Sequence, residues 1–172
     1  EFGHSLTGLC LGYKIFKISF YPCGGISSFI MPLNVSLKKE LLILLMGPIF
    51  QTLGYIIIKT ITHSEVITIY HYSLLFFNLL PIYPLDGGRI INILFNYRIS
   101  YLKSFYITYF ISLFFLIILF IINIFSFNLN LFLMLLMLGY KLFISYKELG
   151  SNYNKFLLER YLYNYRFQKQ AY

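Results

Sequence analysis

Glu1 and His4 stand three residues apart, a spacing that puts both on one face of a helix. They fill the last four positions of the pattern His-Glu-x-x-His, in which two histidines one turn apart hold zinc and the glutamate between them acts as general base toward water. Alone, Glu-x-x-His is a common pairing, and a solitary helical histidine more often makes a structural hydrogen bond. His63 and His71 are read in that structural sense. The other residue able to do chemistry is Asp86, in the run Asn78-Leu-Leu-Pro81-Ile-Tyr-Pro84-Leu-Asp86-Gly87-Gly88-Arg89. A carboxylate set into a membrane span costs about 3 kcal/mol by insertion measures and survives mainly where it has a role. Pro81 and Pro84 withdraw backbone donors, and Gly87 with Gly88 admits non-helical torsions, which predicts a helix break just ahead of the aspartate. Broken backbone at membrane depth must be buried in protein or line a water-filled cavity, and a hydrolytic site inside a membrane needs such a cavity. The alternative is that Asp86 pairs with Arg89 as an interfacial cap at a helix start.

The elements that must carry these residues are written in the composition. Of 172 residues, 59% are hydrophobic and 12% charged, far from the proportions of a water-soluble domain. Three stretches, 41–58, 66–85 and 104–140, contain no Asp, Glu, Lys or Arg. The last is too long for one crossing of ~30 Å of hydrocarbon. Asn123, Ser126, Asn128 and Asn130 mark its turn. The expectation is an all-α polytopic membrane protein: a truncated first helix at 1–13 and four transmembrane helices near 41–60, 66–85, 104–124 and 129–146. Short β-prone runs at 15–20 and 26–31, around Pro22, Gly24 and Gly25, predict a small β-hairpin at the cytosolic membrane surface, with a plain connector as the alternative. These elements form one core, 1–146, followed by a basic, Tyr-rich juxtamembrane tail at 147–172, expected to lie on the headgroups.

Basic residues set the orientation. With the tail in the cytosol, segments 14–39, 89–103 and 147–172 lie inside, and with Lys141 snorkelling they account for every Lys and Arg except Lys59. The net charge of +8 therefore reads as topology, and a nucleic-acid partner is not expected. Cys10 and Cys23 match no repeated metal-ligand spacing and are read as free thiols. No basic residue precedes the first apolar stretch, so no signal peptide is read. The chain opens on Glu1 inside a helix already under way, which reads as a fragment or processed form.

Glu1-Phe-Gly-His4, then Gly47-Pro48, then Asn78 through Pro84-Leu-Asp86-Gly87-Gly88-Arg89 together resemble the site-2 protease family of intramembrane zinc metalloproteases (M50). The short loops resemble its branch typified by the stage IV sporulation protein FB. The resemblance implies that His4 and Asp86 are ligands of one Zn2+ per chain, with Glu1 as the catalytic base. A further histidine ligand is expected immediately before Glu1, and the chain taken as it stands would hold zinc poorly and be inactive. Asn78, Gly47 and Pro48 would shape the site and bind substrate. Gln51 stands where the family often has asparagine, and the branch's nucleotide-sensing domain is not expected after 146.

The function implied is zinc-dependent endopeptidase cleavage of membrane-associated regulatory proteins near the cytosolic face, a sigma-type precursor being the implied substrate class, in the bacterial cytoplasmic membrane. The hairpin would hold the unwound substrate by strand addition. The expected partners are the protein substrate and the lipid bilayer, and an inhibitory membrane partner is compatible with them. Two other classes are weighed: a non-catalytic polytopic scaffold or inactive homologue, in which Asp86 is a capping carboxylate, and a small transporter, disfavoured because paired discontinuous helices are lacking.

Overall fold

The computed structural model describes residues 2–21, 24–30, 33 and 35–162. The elements in order are α1 (Phe2–Cys10), β1 (Lys14–Tyr21), β2 (Gly24–Ile30), α2 (Leu37–Ile61), α3 (Glu65–Asn78), α4 (Asp86–Asn96), α5 (Tyr101–Phe125) and α6 (Leu129–Leu162). They divide into two compact units, one of residues 1–31 and 38–80, the other of 32–37 and 81–172.

In the first unit α1 ends because Gly12 turns left-handed at φ 85°, a backbone conformation that favours glycine. The turn is locked by Gly12 N–H donating to the Leu9 carbonyl at 2.9 Å and Tyr13 N–H to the Gly8 carbonyl at 3.0 Å, the paired bonds of a Schellman cap. The chain then enters the predicted hairpin. β1 and β2 pair antiparallel from Lys14 opposite Ile30 to Tyr21 opposite Gly24, with an irregularity between Ile15 and Lys17. Small residues Gly3, Ser5 and Gly8 form the buried side of α1, and Phe2 meets Phe50 of α2 edge-on at 6.0 Å. Beyond the cap, Lys39 Nζ sits 6.0 Å over the Tyr13 ring. Burial, and secondarily the Glu40 carboxylate, push the Tyr13 phenol above its usual pKa.

The second unit stacks α4 on α5 and α5 on α6. Its interior holds Ile82, Ile93, Leu116, Leu135, Leu138 and Leu142, all buried. One polar seam runs through it. Ser104, Thr108 and Ser112, spaced every four residues along α5, are all buried. Thr108 Oγ1 donates to the Ser104 carbonyl at 2.9 Å and Ser112 Oγ to the Thr108 carbonyl at 2.7 Å. Small side chains let helix backbones approach closely where no water competes. Across the seam Ser104 Oγ donates to the Asn92 carbonyl at 2.7 Å, and Asn92 Nδ2 to Thr108 Oγ1 at 3.3 Å.

Three helices among the described residues are long and apolar enough to cross a membrane: α2, α5, and α6 as far as Glu159. Large side chains such as Ile57, Phe76, Phe110, Phe125 and Phe143 stand exposed along the helices, as lipid-facing residues do. Three such helices with lipid-facing side chains make the chain a multi-pass integral membrane protein. The expected single span at 66–85 differs from what forms. α3 stops at Asn78 after 14 residues, about 21 Å at 1.5 Å per residue. Residues 79–85 are irregular before α4 begins at Asp86. The prolines are the cause: neither can donate into a continuing helix, and the residue before each is steered out of helical torsions. Beyond residue 146, α6 continues unbroken to Leu162; residues 163–172 of the expected tail lie outside those described.

Candidate metal centre

His4 sits on α1, half-buried, with Nδ1 2.8 Å from the Ile43 carbonyl of α2. A carbonyl only accepts, so Nδ1 carries the proton. Histidines that ligate metals are usually oriented in this way, by a hydrogen bond from the non-ligating nitrogen that fixes tautomer and ring plane. The same ring lies against Gly47, where a Cβ would collide with Nε2 and Cε1 of His4. Glycine at 47 is therefore room for the imidazole. Next to it, Pro48 leaves the Leu44 carbonyl without its helical donor, and Thr52 Oγ1 donates back to the Pro48 carbonyl at 2.8 Å. The structure thus brings His4 and Gly47 together. Glu1 lies outside the described residues.

Asp86 is the first residue of α4, after the extended Leu85 at φ −61°, ψ 161°. That position places a carboxylate in the first turn of α4. Its turn is built by backbone packing. A Cβ on Gly88 would strike Tyr83 N and the Ile82 backbone, so the chain before the aspartate folds directly onto the first turn of α4. Tyr83 N–H donates to Ser112 Oγ at 2.8 Å, and Ile82 is fully buried. The polar seam of α5 thereby holds the broken segment and fixes where α4 starts. Asp86 is half-buried and Arg89 exposed.

Asn78 closes α3 in the first unit, half-buried. The amide of Gln51 donates from Nε2 to the His71 carbonyl at 3.2 Å, tying α2 to α3. His71 is buried and stacked face to face on Tyr55 at 4.1 Å, in keeping with its structural reading. Sequence reasoning missed the three small hydroxyl residues of α5. Their four-residue spacing was the available signal.

Among the described residues, no group of three or more His, Cys, Asp and Glu side chains is gathered as a metal site. The donors that are present suit zinc in kind: an imidazole with its tautomer set by a carbonyl, and a carboxylate at a helix N-terminus.

Comparison with known proteins supplies the context. Residues 57–119 match the model of Peptidase family M50. The stage IV sporulation protein FB of Bacillus subtilis is 28% identical over 171 residues, covering 94% of this chain and 59% of that protein. A zinc metalloprotease of Methanocaldococcus jannaschii is 33% identical over 115 residues, covering 60% of this chain and 33% of that one. The chain thus spans roughly a third to three fifths of the curated relatives it matches. Among solved structures, a site-2 protease from Methanocaldococcus jannaschii superposes with a TM-score of 0.65 at 26% identity, covering 82% of this chain and 69% of that chain.

Proposed function

We propose that the chain is a member of the site-2 protease family of membrane metallopeptidases, a zinc-dependent intramembrane endopeptidase cutting membrane-associated regulatory proteins near the cytosolic face. His4 and Asp86 would hold the zinc, joined by a histidine immediately ahead of Glu1. A zinc so held supplies Lewis acidity toward water and toward a peptide carbonyl. Glu1, three residues ahead of His4 in the sequence, would take the proton from the attacking water and hand it to the leaving amine nitrogen. Gly47 and Pro48 shape the wall behind His4, and Asn78 contacts substrate. The hairpin offers an edge strand on which an unwound substrate segment pairs backbone to backbone. The tail and the basic connectors face the cytosol of a bacterium, and an inhibitory membrane protein that covers the site is a compatible regulator.

The observation that carries this reading is the imidazole of His4, proton-locked by the Ile43 carbonyl and laid over a glycine in the next helix. The test is cleavage of a membrane-tethered substrate by the full-length protein in bilayer nanodiscs, with Glu1→Gln and Asp86→Ala beside the unaltered chain. Glu1→Gln should keep zinc and lose cleavage, and Asp86→Ala should lose both. Undiminished cleavage in either variant removes the assigned roles.

A further inference from the structure

From residue 104 to residue 140 the chain carries no Asp, Glu, Lys or Arg, and the turn that joins α5 to α6 lies inside that run. Polar groups at this turn bond to one another. Ser126 N–H and Oγ both donate to the Ile122 carbonyl, at 3.3 and 3.2 Å. Asn128 Oδ1 accepts from the Asn130 and Leu131 N–H groups at 3.0 and 3.3 Å, capping the first turn of α6. The Asn128 carbonyl accepts the Phe132 N–H at 2.9 Å and the side-chain amide of Asn123 at 3.2 Å, and Asn123 is itself buried. Internal bonding of this kind is what irregular backbone requires where lipid takes the place of water. The apolar side chains of the turn are open instead: Ile124, Phe125 and Phe127 are 73%, 87% and 70% exposed, and they run on into exposed Ile121 of α5 and Leu129 and Leu133 of α6.

The opposite end of the same helix pair is marked by charge and aromatic rings. Lys103 and Lys147 are exposed, and Tyr146 packs against Tyr106 and Tyr109 at 6.3 and 4.9 Å between ring centres, a mixture of side chains that belongs at headgroup level. From Lys103 to Phe125 is about 33 Å of helix, against ~30 Å of hydrocarbon. A pair anchored at Lys103 therefore brings its turn to the far boundary between acyl chains and headgroups without carrying it into water. We propose that the α5–α6 turn is a lipid-docking surface, with Ile124, Phe125, Phe127 and Leu129 against the acyl chains of the leaflet away from Lys103. Ser126, Asn128 and Asn130 meet the headgroups of that leaflet. Acyl chains are the occupant that fits, because the patch offers no charge to a polar partner and is continuous with the lipid-facing flanks of both helices. The inference is independent of the peptidase reading.

Residues 1–172 contain no tryptophan, so a single introduced indole reports its own surroundings once any tryptophan elsewhere in the full-length protein is changed to phenylalanine. Phe125→Trp and Phe127→Trp are compared with His63→Trp, at an exposed position after α2, in nanodiscs holding one chain each. Emission from the two turn variants should fall about twofold when the disc is made of phospholipids brominated near the headgroup end of the acyl chain, and hardly at all with aqueous iodide. His63→Trp should show the reverse. Either turn variant alone suffices for the reading, should the other fold poorly. Quenching of the turn by iodide and not by bromine overturns the proposal by putting the turn in water. Resistance to both quenchers overturns it as well, because the patch is then covered by protein.

Discussion

At the level of single residues, the site is most sharply defined where a side chain is missing. Gly47 gives way to the His4 ring, and a methyl group there would meet Nε2 and Cε1. Gly47→Ala should therefore turn the imidazole off the Ile43 carbonyl and weaken zinc binding by about 10- to 100-fold, read by chelator competition, while Gly54→Ala, in open space on the same helix, should leave affinity unchanged. Glu1→Gln should reduce cleavage by about a hundredfold or more while zinc content stays constant, as single-turnover assays and metal analysis would show. His4 and Asp86 could be picked out from motif spacing and the cost of a carboxylate beside a span. The locking of His4 by a carbonyl 39 residues away could not, because nothing local in the sequence encodes a contact between helices. Gln51 is similar: the sequence shows a departure from the asparagine common in the family it resembles, and only the fold shows its amide bonded to the backbone of α3.

Among the elements, the break before Asp86 is the decisive feature, and its ingredients were legible as Pro81, Pro84 and the glycine pair. The extent of the break was not. Counting uncharged residues gives 66–85 as one span, since hydropathy registers what lipid tolerates and ignores which residues can donate backbone hydrogen bonds. The continuation of α6 past 146 escaped for the converse reason: a change to charged and aromatic composition marks the edge of the membrane and does not stop a helix. Ser112 is the clearest test at this scale. Ser112→Ala would leave the Tyr83 N–H without its acceptor in a buried turn, at a cost of about 1–3 kcal/mol. A lowered unfolding temperature and reduced zinc occupancy are the expected outcomes, whereas Ser126→Ala, on an exposed residue after α5, should change neither.

For the whole molecule, the apolar exterior of the long helices and the proposed one-sided distribution of basic residues belong to the same physical situation. A chain of this composition leaves its aliphatic and aromatic side chains in contact with lipid and collects Lys and Arg on the cytosolic side. In a background with Cys10 and Cys23 replaced by serine, His63→Cys in intact cells should react with a membrane-impermeant maleimide, and Lys147→Cys should react only after the membrane is opened. Both positions are exposed in the fold, so equal labelling of the two would refute the topology. Zinc content measures the centre most directly. The full-length protein, purified in bilayer nanodiscs and analysed for metal beside its His4→Ala and Asp86→Ala variants, should carry one zinc per chain that both substitutions remove. Zinc absent from the unaltered protein, or retained in either variant, would contradict a centre shared by these two residues.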